Sequence, residues 1–169
     1  LSARVGGGGV RVYAGPLGNA DAFARLRDMG GATSQNVKAV IAALTEELPP
    51  APAWLAAALQ EGPAVAFGHR SSCFRVACDA IGASGFAPED VKRATAKLVS
   101  LGDDGARADW LQYVAQGHAH VVAPLSDRAA LDEPYPEPHL ALAKLVLVAA
   151  VMAKLNVERV EYHETNGSC

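Results

Sequence analysis

The sequence is poor in aromatic residues and in charged residues. The first shortage excludes a core built from aromatic side chains, and the second argues against nucleic acid as the main partner. Aromatic residues make up only 6% of the 169 residues, so the core must be built from small aliphatic side chains, mostly on helices. Charged residues make up 20% of the chain, and the formal net charge is −3. A protein that grips phosphate backbones needs clustered Lys and Arg. We therefore expect no nucleic acid as the main partner.

Long apolar runs are also scarce. The longest run, residues 140–155, is interrupted by Lys144 and Lys154. It is shorter than the roughly 20 residues that a membrane-spanning helix needs. We therefore expect no membrane partner.

Cysteine is the third scarce residue. Cys73, Cys78 and Cys169 are the three in the chain, and their spacing does not resemble a paired disulfide framework. Unpaired cysteines are typical of a reducing compartment. The sequence therefore predicts a cytoplasmic protein.

The length and the pattern of the chain predict one folded unit. Four consecutive glycines at residues 6–9 indicate that residues 1–9 form a flexible lead-in. Residues 10–169 show no repeat and no shift in composition, so we expect a single globular domain. Apolar spacing predicts helices and alternation predicts strands: helices over 20–29, 34–48, 54–59, 73–81, 88–101, 108–115 and 140–155, and strands over 10–14, 64–67, 118–123 and 157–163.

The most informative stretch runs from residue 64 to residue 82. A short apolar run is broken by Gly68, and either Ser71 or Ser72 can then cap a helix that begins beside Cys73. Gly82 is expected to end this helix. A thiol in the first helical turn lies at the positive end of the helix dipole, which lowers a cysteine pKa toward neutrality. Cys73 is thus placed like a nucleophile, although a small buried side chain is the competing interpretation.

A thiol nucleophile needs a base, and two histidines are candidates. His118 and His120 open the predicted strand at 118–123. Alternate strand residues face the same side, so both imidazoles would point together toward a neighbouring element. Asp127 follows seven residues after His120 (127 − 120) and is the candidate for orienting the base.

These residues resemble a known family. The segments Ser72-Cys73-Phe74 and 117–121, which carries His118 and His120, look like the Cys/His pair of the small papain-like cysteine proteases that viruses use to cut their own polyproteins. The resemblance implies an α+β fold, with a helical half carrying Cys73 packed on a small, mainly antiparallel sheet that carries the histidine. It also implies a polypeptide substrate, no cofactor, and an oxyanion hole that uses the Cys73 backbone N–H.

Two other interpretations remain open at the level of sequence. His69, Cys73, His118 and His120 supply the mixed nitrogen and sulfur ligands that tetrahedral Zn²⁺ accepts, which would make the chain a zinc-binding α/β domain. Alternatively, Ala-rich helices and an acidic, proline-rich loop around Tyr135 suit a non-catalytic interaction module or a virion or assembly component. In that case the partner is a protein, and Cys73 serves only in packing.

Overall fold

Helices dominate the architecture, and a small sheet lies against them. The computed structural model describes residues 2–5, 9–68, 72–100 and 140–164. This arrangement confirms the expected α+β class. In chain order the elements are β1 (Ser2–Val5), β2 (Gly9–Val12), α1 (Asn19–Asp28), α2 (Ser34–Glu47), α3 (Ala53–Gln60), β3 (Ala64–Gly68), α4 (Cys73–Ile81), β4 (Gly85–Phe86), α5 (88–100), α6 (Ala141–Leu155) and β5 (Val160–Glu164).

The main sheet is mixed and has the strand order β3-β5-β4. Strand β5 is central, runs parallel to β3 with Ala64 opposite Val160, and runs antiparallel to the short β4. The parallel pairing requires a long crossover between β3 and β5, and that crossover contains α4 and α6. In chain order, α4 therefore lies between β3 and β5, the two parallel strands of the sheet.

Within the expected lead-in at 1–9, residues 2–5 form a strand that the sequence did not predict. Ser2–Val5 forms β1 and pairs antiparallel with β2, with Ser2 opposite Val12 and Val5 opposite Gly9. The glycine run separates two short runs that each contain valine and arginine. Backbone pairing between these neighbouring runs makes residues 2–5 a strand.

Helix α6 lies between two apolar clusters and joins them. One of its faces, with Leu145, Val148 and Met152, packs with α4 and the main sheet. Another face, with Val146 and Ala150, packs with α1 and α2. Because both faces are buried, nearly all the side chains around α6 are apolar, as expected for an internal helix.

Helix α2 shows how local signals fix the helix ends. Thr33 is its cap: the Thr33 hydroxyl accepts a hydrogen bond from the Asn36 backbone N–H at 3.1 Å. Near the other end, Glu47 accepts two hydrogen bonds of 2.7 Å from the Arg25 guanidinium of α1. This exposed pair ties α1 to α2 at the surface.

Several sequence predictions fall outside the described stretches. They are the helix at 108–115, the strand at 118–123 and the proline-rich loop around Tyr135. The single-domain organisation of 10–169 likewise stays a prediction.

Candidate functional site

The expected nucleophile is the first residue of a helix. Helix α4 begins at Cys73, and the Ser72 hydroxyl accepts a hydrogen bond of 3.2 Å from the Arg75 backbone N–H. The Ser72 carbonyl accepts a second bond, of 3.1 Å, from the Val76 N–H. Of the two candidate caps, Ser72 is therefore the one used. Cys73 lies in the turn that this cap organises.

The other end of α4 is also fixed by its sequence. Gly82 adopts φ = +80°, in the left-handed region, and its N–H donates to the Cys78 carbonyl at 2.7 Å. A residue without a Cβ adopts this conformation at little cost. The helix therefore has the length and position that the sequence predicts.

Helix α4 begins shortly after the carboxyl end of strand β3. Gly68, the last residue of β3, lies opposite Glu164 of the parallel strand β5, so the two carboxyl ends lie side by side. Cys73 follows Gly68 by five residues (73 − 68), a connection that reaches at most about 18 Å, and α4 packs against both strands. The carboxyl ends of parallel strands are where α/β proteins most often bind ligands.

The two described cysteines have different surroundings. Cys73 is partly buried and packs beside the main core, whereas Cys78 is 1% exposed. Burial raises the pKa of the Cys78 thiol to about 12, and the adjacent Asp79 carboxylate adds to the rise. Cys78 is therefore a packing residue with almost no thiolate at neutral pH.

A small apolar pocket lies beside α4, between the main sheet and α6. Phe74, the neighbour of Cys73, forms part of its wall, together with residues of β3, β5 and α6 and the turn before β5. The lining contains no polar side chain: it consists of Ala64, Val65, Ala66, Phe74, Val151, Met152, Val157 and Val160.

Helix α4 also contains a buried ion pair that the sequence analysis missed. The Arg75 Nε donates to Asp79 Oδ1 at 2.9 Å, and each side chain is only 1% exposed. Lys144 of the neighbouring helix α6 is also buried. The signal was present in the sequence, because Arg75 and Asp79 stand four apart in a helix whose other residues are almost all apolar.

The remaining predicted site residues lie outside the described stretches. His118, His120 and Asp127 fall in 101–139, and His69 falls in 69–71. Of the four alternative zinc ligands, only Cys73 is described. Within the described residues, no three His, Cys, Asp or Glu side chains come together as a metal site would require.

His163 is the one histidine in the part of the chain that the structure describes. It lies on β5 and is exposed, whereas Val160 and Tyr162 of the same strand are buried in the core. Alternation along a strand therefore directs His163 to the sheet face opposite the core. Since Cys73 packs on the core side, His163 is not assigned as its base.

No protein-family model, curated protein or solved structure matches this chain. Among the helices described here, none combines the length and the hydropathy needed to cross a bilayer. The candidate site therefore depends on its own geometry.

Proposed function

We propose that this chain is a cysteine protease of papain-like type, with Cys73 as the nucleophile and a polypeptide as the substrate. The observation that supports the proposal is the position of Cys73 at the start of α4, directly after the Ser72 cap. The N-terminal end of a helix carries a partial positive charge that stabilises a thiolate. No other described cysteine has this position.

The proposed reaction proceeds in two steps. His118 or His120 takes the thiol proton, and the Cys73 sulfur attacks the scissile carbonyl carbon. The Cys73 backbone N–H donates to the oxygen that becomes negatively charged. The tetrahedral intermediate collapses to a thioester, and the histidine gives its proton to the departing amine.

Water then completes the cycle. The same histidine removes a proton from water, whose oxygen attacks the thioester and releases the carboxylic acid, while the Cys73 thiol recovers its proton. In this scheme Asp127 orients the base. The protein's own polyprotein is the proposed substrate, following the family resemblance.

Selective alkylation tests this assignment. In a Cys169→Ser background, iodoacetamide at pH 7 should modify Cys73 faster than Cys78 by on the order of 100-fold or more, because Cys78 is sealed and holds its proton. The two rates are measured by quenching at intervals and quantifying the modified peptides by mass spectrometry.

The matched control is the same measurement in denaturant. Unfolding exposes both thiols, so the two rates should converge. If Cys73 and Cys78 react equally slowly in the native protein, Cys73 is not an activated thiolate and the protease proposal is wrong. Protection of Cys73 that is lost on addition of a zinc chelator would instead favour the metal-binding interpretation.

A further inference from the structure

The buried pair in α4 is joined to the cap of the same helix through a single residue. The Arg75 backbone N–H donates to the Ser72 hydroxyl at 3.2 Å, while the Arg75 side chain donates to Asp79 at 2.9 Å. Arg75 therefore connects the helix cap to the next turn of the helix. Cys73 lies inside the turn that this connection closes.

Stability alone does not account for such a pair. Both side chains are 1% exposed, and removing two charges from water costs free energy that their attraction only partly returns. Apolar residues of similar volume would often stabilise a protein as well or better. A charge-assisted hydrogen bond does, however, have strict requirements of distance and direction, so a pair four residues apart in one helix requires the backbone between them to stay helical.

The location of the pair matches a positioning role. Arg75 is two residues from Cys73, about 200° around the helix, whereas Val76, Ala77 and Ala80 pack on the side that Cys73 shares. Apolar packing thus holds one side of the first turns of α4, and the ion pair holds the opposite side. Fraying of the first turn, which contains Arg75, would break a buried charge contact.

We propose that Arg75 and Asp79 are positioning residues that fix the first turn of α4 and hold the Cys73 sulfur where it attacks. The pair acts through the backbone of residues 73–76 and touches no substrate. This inference rests on the proposed function of Cys73. According to this inference, activity requires the intact Arg75–Asp79 pair in addition to the Cys73 thiol.

The test uses the paired apolar variant Arg75→Met/Asp79→Leu, which removes both charges together. Hydrolysis of a fluorescein-labelled casein should show kcat lowered roughly 10-fold to 100-fold, with KM little changed, because a small displacement of a reacting group costs rate rather than binding. Amide hydrogen exchange at Arg75 and Val76, whose N–H groups bond to Ser72, should become faster. Exchange in α6 should stay the same.

The exposed pair Arg25–Glu47 supplies the matched control. Arg25→Met/Glu47→Leu removes an arginine–carboxylate pair elsewhere and should leave kcat and the exchange at residues 75 and 76 unchanged. If the apolar α4 variant does not fold, Arg75→Lys takes its place. Lysine keeps the positive charge but lacks the planar, forked donor group of arginine. Arg75→Lys should therefore also lower kcat and speed up amide exchange at residues 75 and 76, by smaller amounts.

The outcomes separate the two proposals. Unchanged kcat, or unchanged exchange at residues 75 and 76, in a folded variant overturns the positioning role. A wild-type protein that does not hydrolyse casein and whose Cys73 is unreactive overturns the protease proposal. Exchange at residues 75 and 76 still reports in that case whether the pair fixes the turn.

Discussion

Cys73→Ala abolishes proteolysis: we expect the rate of casein hydrolysis to fall by on the order of 1,000-fold or more, to the background level. The expected loss is this large because the nucleophile forms the covalent bond of the reaction, and no neighbouring group replaces it. Cys73 is half-buried at the tip of α4, so removing its sulfur leaves the fold intact. Circular dichroism before the assay verifies the fold.

Cys78→Ala is the matched control for this loss. Cys78 lies in the same helix but is sealed in the core, with its pKa raised to about 12, so its thiol cannot act at neutral pH. We expect Cys78→Ala to keep most of the activity and to lose a small amount of stability. If Cys73→Ala retains wild-type turnover, or if Cys78→Ala loses it, the assignment of the nucleophile is wrong.

Asp79→Asn should strongly destabilise the protein, by about 3–5 kcal/mol in the free energy of unfolding. The substitution leaves the Arg75 guanidinium charged and 1% exposed, without the carboxylate that compensates it. Arg75→Met should be similarly costly, because it leaves the Asp79 carboxylate buried. Both values can be measured by urea unfolding followed by circular dichroism.

The paired variant Arg75→Met/Asp79→Leu should behave differently from either single change. Since neither charge of the pair is left buried without the other, we expect its free energy of unfolding to lie within about 1 kcal/mol of wild type, or above it. The single losses are then strongly non-additive. A double variant that is as unstable as either single variant would show that the charged pair stabilises the fold better than apolar packing does, and would contradict the argument for a positioning role.

The boundaries of α4 were predictable because the signals that set them are local. Ser72 and Gly82 act within one turn of the helix, and their chemistry is the same in any protein. The long apolar helix α6 was predictable for a similar reason. Its run of small aliphatic side chains suits a helix buried on two sides.

The pairing of the strands was not predictable, because it depends on partners far apart in the chain. Strand β5 alternates clearly, but nothing in its sequence indicates that it lies parallel to β3, almost one hundred residues earlier. The strand at Ser2–Val5 was not predicted for a different reason: its partner lies only a few residues away, but four residues are too short a run to show a clear alternation. In both cases the backbone of one segment completes the hydrogen bonding of another.

The candidate site was predictable in part. Cys73 was identified because a helix start and a thiol coincide in the sequence. The Arg75–Asp79 pair was missed because charged residues are usually exposed, and only packing in three dimensions buries both. The roles of His118, His120 and Asp127 stay predictions of the sequence.

The most direct test of the central claim is covalent capture of the nucleophile. A peptide vinyl sulfone reacts with an activated thiolate held beside a substrate-binding surface, and tandem mass spectrometry identifies the residue that carries the adduct. We predict one adduct per chain, on Cys73, and its loss when His118 and His120 are both replaced by alanine. An adduct on Cys78 or Cys169, or no adduct on the folded protein, would contradict the account.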